Sequence, residues 1–496
     1  MTHPACPEQR PVWKLVISLT LVYIHVYVRD WVEGEGTVQS VTEKVQYGNH
    51  VLQVEPFGIA QVHREERHGH ARSQFSLWLG SNLTIADFAL GFLPVSLGLP
   101  WSWTILAIVV GNLMGAYVVG LFAAMGPVYG VPQLIIGRHS FGRVGGYLPA
   151  LFNYVSTIGW FTVNNILGSF GLRVLFPNLQ FWQAAVILVC IQGLLAIYGH
   201  NLIHAYERVM SVLLAILFAI VSVLALHHTA ALMAYRPPLH GSLWPLFAIM
   251  VAAVFSYSGS WSPYASDYSR YLPANTPRKG IVGWAFLGSF LATAWLELVG
   301  VAVAILAGAQ ADPIAALHHV MGGFGGVAVI AIILGGTAAD ALNLYSNGLS
   351  AGAFDIRVPR WLLTVIASLI GLGLSLSGSA QFEQNFENFL LMLGYWITPW
   401  MGVLLTDFYF FHAHRQGNTD GRSRRSVYLP GLLAFVIGIA AATPFMDGPL
   451  YEGPVAKALQ GADLSFYVGF LVAALVYGVL RRSMDVRSHR AERVAS

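Results

Sequence analysis

The chain of 496 residues is 56% hydrophobic and only 10% charged, with a mean hydropathy of +0.60; a soluble domain carries about 25% charged residues, so a water-soluble globular protein is excluded. Its formal net charge of +3 gives no basic surface for nucleic acid. Two cysteines far apart, Cys6 and Cys190, support neither a disulfide framework nor a cysteine metal site.

Repeated apolar runs of about 20 residues describe an all-α polytopic membrane protein. Residues 1–72 stand apart as an N-terminal extension and lead-in. Val12 to Val28 is apolar but short, contains Lys14 and His25, and fits either a weak signal-like or interfacial segment or a non-native extension. Residues 54–72 (VEPFGIAQVHREERHGHAR) are polar and basic and read as a cytoplasmic lead-in. About 12 spans follow, at 75–98, 102–125, 147–173, 182–202, 205–227, 244–271, 280–308, 323–353, 361–377, 386–411, 428–446 and 464–480. We number them spans 1 to 12. The first ten lie in a core, 73–411, with halves 73–227 and 244–411; a loop at 412–427, two further helices in 428–482 and a tail at 483–496 complete the chain.

Lys and Arg fix the expected topology. One side collects Arg64, Arg67, Arg72, Arg138, Arg143, Arg208, Arg270, Arg278, Lys279, Arg357, Arg360, Arg422, Arg424, Arg425 and the arginines of the tail. The other has Arg173, Arg236 and Lys457. The spans therefore lie in the plasma membrane with both termini cytoplasmic. Spans 1 to 5 and 6 to 10 then run in opposite senses, the pattern of an inverted repeat.

Span 6 continues into FSYSGSWSPYASDYSRYLP (Phe255 to Pro273). Ser258, Gly259, Ser260 and Pro263 interrupt a helix at membrane depth, which lipid tolerates only where the backbone is buried in protein or lines a cavity. A proline kink that merely shapes the bundle is the plainer alternative. Span 1 has a matching polar run, Gly80, Ser81 and Asn82, followed by Thr84 and Asp87. In span 3, Trp160 and Asn164 are four apart and share a face; an indole plate beside a carboxamide suits a flat, hydrogen-bonding heterocycle, although interhelical bonding by asparagine is the alternative. In span 8, Thr337, Asp340 and Asn343 form a ladder on one side. A carboxyl inside a span is expensive and by default functional, and one that can hold a proton suits a proton carrier; a structural bond to a neighbouring helix is its other role. Glu297 is expected to pair within the bundle, Asp407 to be interfacial, Asp267 and Arg270 to close the cytoplasmic end of span 6, and His200 and His204 to be solvated or capping. No zinc-ligand spacing, phosphate loop or nucleophile elbow is present, and the chain is not read as an enzyme.

SWSPYASDYSRYLP (260–273), ALNLYSNGLS (341–350) and GWFTVNN in span 3, with VEPFGIAQV and HSFGRVGGYLPALFN, resemble the nucleobase–cation symporter family 1, and within it the purine–cytosine permease branch. The resemblance covers residues 54–480. It implies a leucine-transporter-type 5+5 inverted repeat plus two C-terminal helices, and alternating access in which spans 1, 2, 6 and 7 rock against the rest. It implies import of a purine- or cytosine-type base by cation symport. Family roles fall on Trp160 and Trp261 as stacking plates and on Asn164 and Asn343 as hydrogen-bond partners, with Ser81, Asn82 and Ser260 around the broken backbone. No cofactor is implied beyond a coupling proton or sodium. Sodium-using members resemble one another in adjacent hydroxyl residues in span 8, where this chain has Ala338 and Ala339; that departure favours protons, with Asp340 as carrier and Thr337 the remaining oxygen. Uptake of another flat heterocycle (allantoin, hydantoin, uracil or a vitamin precursor) and a non-transporting receptor are the alternatives. The oligomeric state is not legible.

Overall fold

The computed structural model describes residues 57–198, 200–237, 242–308, 312–355, 358, 360–412, 426–448 and 451–495. Residues 47–496 form one compact unit. The segment at 12–28, residues 54–56, most of the loop at 412–427, and the side chains of His200, His204, Arg360 and the tail lie outside the described residues.

The described fold is helical apart from a two-residue hairpin, Asp447–Gly448 against Tyr451–Glu452. Seven helical stretches are long and apolar enough to cross a membrane, or eight with the bent pair Ser73–Asn82 and Ile85–Ser96. One of the seven, Trp361–Phe411, holds both span 9 (Arg360–Gly378) and span 10 (Phe382–Thr406). Span 3 (Tyr147–Leu175) is long enough but too polar to be among them, and spans 4 and 11 are shorter apolar helices. All 12 expected spans therefore correspond to helices. Their ends follow local chemistry. Span 7 (Arg278–Ala307) starts after Pro277, whose fixed φ suits a helix start, and stops at Gly308, where φ is +100°. One short helix not foreseen, Pro313–Val320, is capped by Asp312, whose carboxylate accepts from the N–H groups of Ile314 and Ala315 at 3.0 and 2.8 Å.

Both expected interruptions are present, but they differ. Span 1 breaks at Leu83–Thr84, just after the polar run, and its arms meet at 57°. Span 6 (Leu243–Gly259) instead tightens into a 3₁₀ turn, Ser262–Tyr264, and resumes at Ala265–Ser269 without a comparable bend. Span 1 is pressed against span 7 on both sides of its break. A Cβ at Gly288 would lie 2.5 Å from the Phe75 carbonyl, one at Gly300 2.1 Å from that of Phe88, and one at Gly91 2.2 Å from that of Glu297. Glycine is needed for this backbone-to-backbone approach.

Arginines gather at one end of the bundle. There the lead-in folds back: Val62 N–H donates to the Gly130 carbonyl at 2.9 Å, and Arg67 donates to Pro127 at 2.8 Å. Asp355, just past span 8, receives Arg138 at 3.0 Å, Arg143 at 2.7 Å and the Tyr147 hydroxyl at 2.5 Å. This joins the connection between spans 2 and 3 to the one after span 8. Asp407, expected near the membrane interface, is enclosed by protein. It is buried and accepts from Ser140 at 3.0 Å and Tyr477 at 2.6 Å, fastening span 10 to the short helix Gln133–Phe141 and to span 12 (Ser465–Ala495).

Partial burial by itself would raise the Asp355 carboxyl, but the bonds from Arg143, Tyr147 and Arg138 outweigh it and hold the group down at about 2, against 3.8 when free. A depressed folded value means that the stabilisation is present above the unfolded value and is lost as pH falls through the folded one. Asp355→Asn is therefore expected to lower the melting temperature of the detergent-purified protein at neutral pH. The gap to wild type should close between about pH 4 and pH 2; an equal gap across that range would remove the ionised carboxylate from the explanation.

Candidate functional site

A small cavity lies at the break in span 1. That span contributes Ser81, Thr84 and Ala86, span 3 Trp160 and Asn164, span 6 Tyr257 and Trp261, and span 8 Ala339 and Asn343. Five of the residues singled out in the sequence, Ser81, Trp160, Asn164, Trp261 and Asn343, thus meet around one space. Its free volume is about 10 Å³, room for one water molecule, where small-molecule pockets usually offer roughly 300–1,000 Å³. The side chains have closed on one another.

Each indole is held in plane by edge-on neighbours. Trp160 meets Tyr257 at 5.2 Å and 89°, and Phe389 of span 10 at 5.2 Å and 78°. Trp261 meets Trp78 at 5.6 Å and Tyr264 at 5.3 Å. Such tilted pairs are favoured over face-to-face ones. Asn82 does not line the cavity. Its carbonyl accepts from Trp261 Nε1 at 2.9 Å while its amide donates to the Trp78 carbonyl at 2.8 Å, so it aims the indole across the break. Thr84 and Tyr257 share a hydroxyl–hydroxyl bond of 3.1 Å.

Asp340 stands behind the cavity. Asn164 Nδ2 donates to its Oδ1 at 3.0 Å, joining spans 3 and 8, and Asn343 sits against the same carboxyl. Asn343 also accepts from the Tyr264 hydroxyl at 3.3 Å. Three buried atoms in this group have no partner, namely Trp160 Nε1, Asn164 Oδ1 and Asp340 Oδ2. An unmade bond on a buried polar atom costs about 1–3 kcal/mol, so a donor and an acceptor beside the cavity are ready for a ligand that offers both. The hydroxyls of the serine and threonine candidates, Ser81 at the cavity wall among them, are spent on their own helices. Ser260 donates to Tyr257 O at 2.7 Å, Ser81 to Leu77 O at 2.8 Å and Thr337 to Ile333 O at 2.8 Å, each within its own helix.

Sequence reasoning missed Tyr257, which lies four residues before Trp261 and so on its face, and the Phe386–Phe389 cover from span 10. Glu297 does pair within the bundle: Asn112 Nδ2 donates to it at 2.9 Å, and Ser258 in turn donates to Asn112 Oδ1. At the arginine-rich end the site is sealed by span 6 against span 8. Tyr268 donates to Leu342 O at 3.0 Å, and Arg270 donates to Gly58 O at 2.7 Å and to the Tyr345 hydroxyl at 3.0 Å. Asp267 accepts from the Gln133 N–H at 2.9 Å.

The model of a family described as permeases for cytosine/purines, uracil, thiamine and allantoin matches residues 61–469. The chain is 30% identical over 455 residues to YxlA of Bacillus subtilis, named as a candidate purine-cytosine permease, covering 87% of this chain and 96% of that one. It is 27% identical over 464 residues to purine-cytosine permease fcyB of Emericella nidulans, covering 89% and 91%. Among solved structures it is similar to Mhp1, a nucleobase-cation-symport-1 family transporter in a closed conformation with bromovinylhydantoin bound, with a TM-score of 0.70 at 18% identity over 86% of this chain and 95% of that one. This likeness establishes a leucine-transporter-type fold.

The Asn82–Trp261 bond has a direct test. Asn82→Ala leaves the indole N–H buried and unpaired, and is expected to lower stability by about 1–3 kcal/mol and free the ring. Thermal unfolding and tryptophan emission of the purified variant check this; an unchanged melting temperature and spectrum would show that Asn82 does not hold the ring.

Proposed function

The chain belongs to the family of permeases for cytosine/purines, uracil, thiamine and allantoin, and on that premise we propose that it imports a purine- or cytosine-type nucleobase by cation symport. It is a secondary transporter working by alternating access from a site at the middle of the bundle. The observation that carries this reading is the meeting of two indoles and two carboxamides around the broken span 1. A flat base offers faces for Trp160 and Trp261, and an edge of alternating donors and acceptors for Asn164, Asn343 and Trp160 Nε1. To admit it, the Tyr264–Asn343 bond and the edge-on contacts over Trp160 must open. The base then supplies partners that Asn164 and Trp160 lack.

We assign the arginine-rich end to the cytoplasm, in a multi-pass plasma-membrane protein. The coupling ion is a proton. Hard cations need several oxygen ligands, and here the side chains of Ala338 and Ala339 offer none, which leaves the Thr337 hydroxyl as the one side-chain oxygen of that stretch beside Asp340. Asp340 is the carrier, because Asn164 ties its carboxyl to the residue that reads the base. The same groups would hold another flat heterocycle, and the breadth of the family's description favours that as the second reading.

Uptake of labelled cytosine, adenine and hypoxanthine, with and without protonophore and with choline in place of sodium, tests the reading. Loss to protonophore and indifference to sodium are expected. Sodium-dependent uptake would overturn the proton assignment. Uptake of none of them would move the substrate to another heterocycle. Asn164→Ala and Asn343→Ala should each cut uptake by roughly 10- to 100-fold without loss of membrane insertion; normal uptake in both would remove the pocket assignment. Asp340→Asn should abolish concentrative uptake yet spare base-for-base exchange, and unchanged accumulation would end its role as carrier.

A further inference from the structure

Glu207 belongs to none of the groups above. It lies in span 5 (His200–Leu226), is 1% exposed, and neither of its carboxyl oxygens has a hydrogen-bond partner. It faces the inner arm of span 1, Ser73–Asn82. A Cβ at Gly80 would lie 2.5 Å from Glu207 Oε2 and 2.9 Å from its backbone carbonyl, so only glycine lets the carboxyl into this seam.

The described surroundings offer no counter-charge. Tyr206, next to it in span 5, donates its hydroxyl to Leu334 O of span 8 at 3.1 Å and is the titratable neighbour within electrostatic reach. Ser211 donates to the Arg208 carbonyl at 2.9 Å, and Arg208 itself is exposed. No charged group of spans 1, 4, 7 or 8 among the described residues acts on it. The side chain of His204, on the same helix, lies outside those residues. A carboxylate buried without a cation costs several kcal/mol, and a neutral carboxylic acid much less. Against the described residues, the packed seam is compatible with the neutral acid and not with the anion.

We propose that Glu207 is a second proton-binding site, a latch whose proton must be present for spans 1 and 5 to close. When the proton leaves, the carboxylate requires water, and only separation of Gly80 from span 5 admits it. Release of the proton thus favours opening along the inner arm of span 1. The division of labour follows from position: Asp340 touches the groups that meet the base, whereas Glu207 touches the seam that must part. This inference rests on the cation-coupled reading above, but its test needs no substrate.

The reporter is Ser211→Cys, whose Cβ lies 3.3 Å from the position a Gly80 Cβ would take, with Cys6 and Cys190 replaced by serine in the full chain. Inside-out vesicles are labelled with a membrane-impermeant maleimide between about pH 5.5 and pH 8.5, each rate being divided by that of the same cysteine in denatured protein. The normalised rate should rise with pH, approaching about tenfold per unit where proton release limits opening. With Glu207→Gln it should be low and flat, and with Glu207→Asp the rise should return. Glu207→Met, also neutral, takes the place of the glutamine variant if that is not recovered folded. A flat profile in the parent, or the same rise in the neutral variants, overturns the proposal. Failure of the transport reading would show separately, as a parent protein that accumulates no base.

Discussion

Polar atoms sunk in hydrocarbon can turn only to one another, and the bundle is ordered by that constraint. Where span 1 leaves the helix at Leu83–Thr84, its backbone and the polar run before it must be enclosed by protein. Spans 3, 6 and 8 supply the enclosure and bring their own polar side chains. The Asn164–Asp340 bond ties span 3 to span 8, Asn82–Trp261 ties span 1 to span 6, and Tyr264–Asn343 ties span 6 to span 8. Each satisfies a group that would otherwise be orphaned. Together they link spans 1, 6, 8 and 3 in series around the cavity.

This series of bonds is not fully satisfied, and the deficit is what marks it as a candidate site. A structural polar core would leave few atoms unpaired, yet Trp160 Nε1 and Asn164 Oδ1 remain open beside the cavity. A ligand that fills these valences offsets the aromatic contacts it must part. The seals differ on the two sides. Toward the arginine-rich end they are hydrogen bonds from Tyr268 and Arg270 to span 8; on the other side Phe386 and Phe389 cover Trp160 by ring contact alone. Polar latches need exact partners to re-form, whereas ring contacts re-form at many angles.

Much of this was legible because hydrocarbon punishes polar residues that have no purpose. Mid-span Trp160, Asn164, Asp340 and Asn343 stood out for that reason, and they converge. Glycine, serine and proline located both interruptions, although not their shapes. What spacing did not show was the local back-bond: Ser260, at the end of the helix Leu243–Gly259, spends its hydroxyl on the Tyr257 carbonyl one turn back. The enclosure of Asp407 was not legible, because the two hydroxyls that bond it, of Ser140 and Tyr477, come from distant parts of the chain. Tertiary partners of that kind leave no local mark. Span 3 was legible as a span although Asn153, Asn164 and Asn165 make it the more polar helix, Tyr147–Leu175.

The glycine seam between spans 1 and 7 carries one more consequence. A kinked rod is usually pictured as a joint, free to flex at the kink. Here both limbs are pinned to the same straight neighbour, at Gly288 below the kink and at Gly91 and Gly300 above it. Span 7 acts as a splint, so the kink is a fixed contour that shapes the wall of the cavity. Motion is displaced to the outer faces of the splinted pair, where the contacts are side chains that can slide apart.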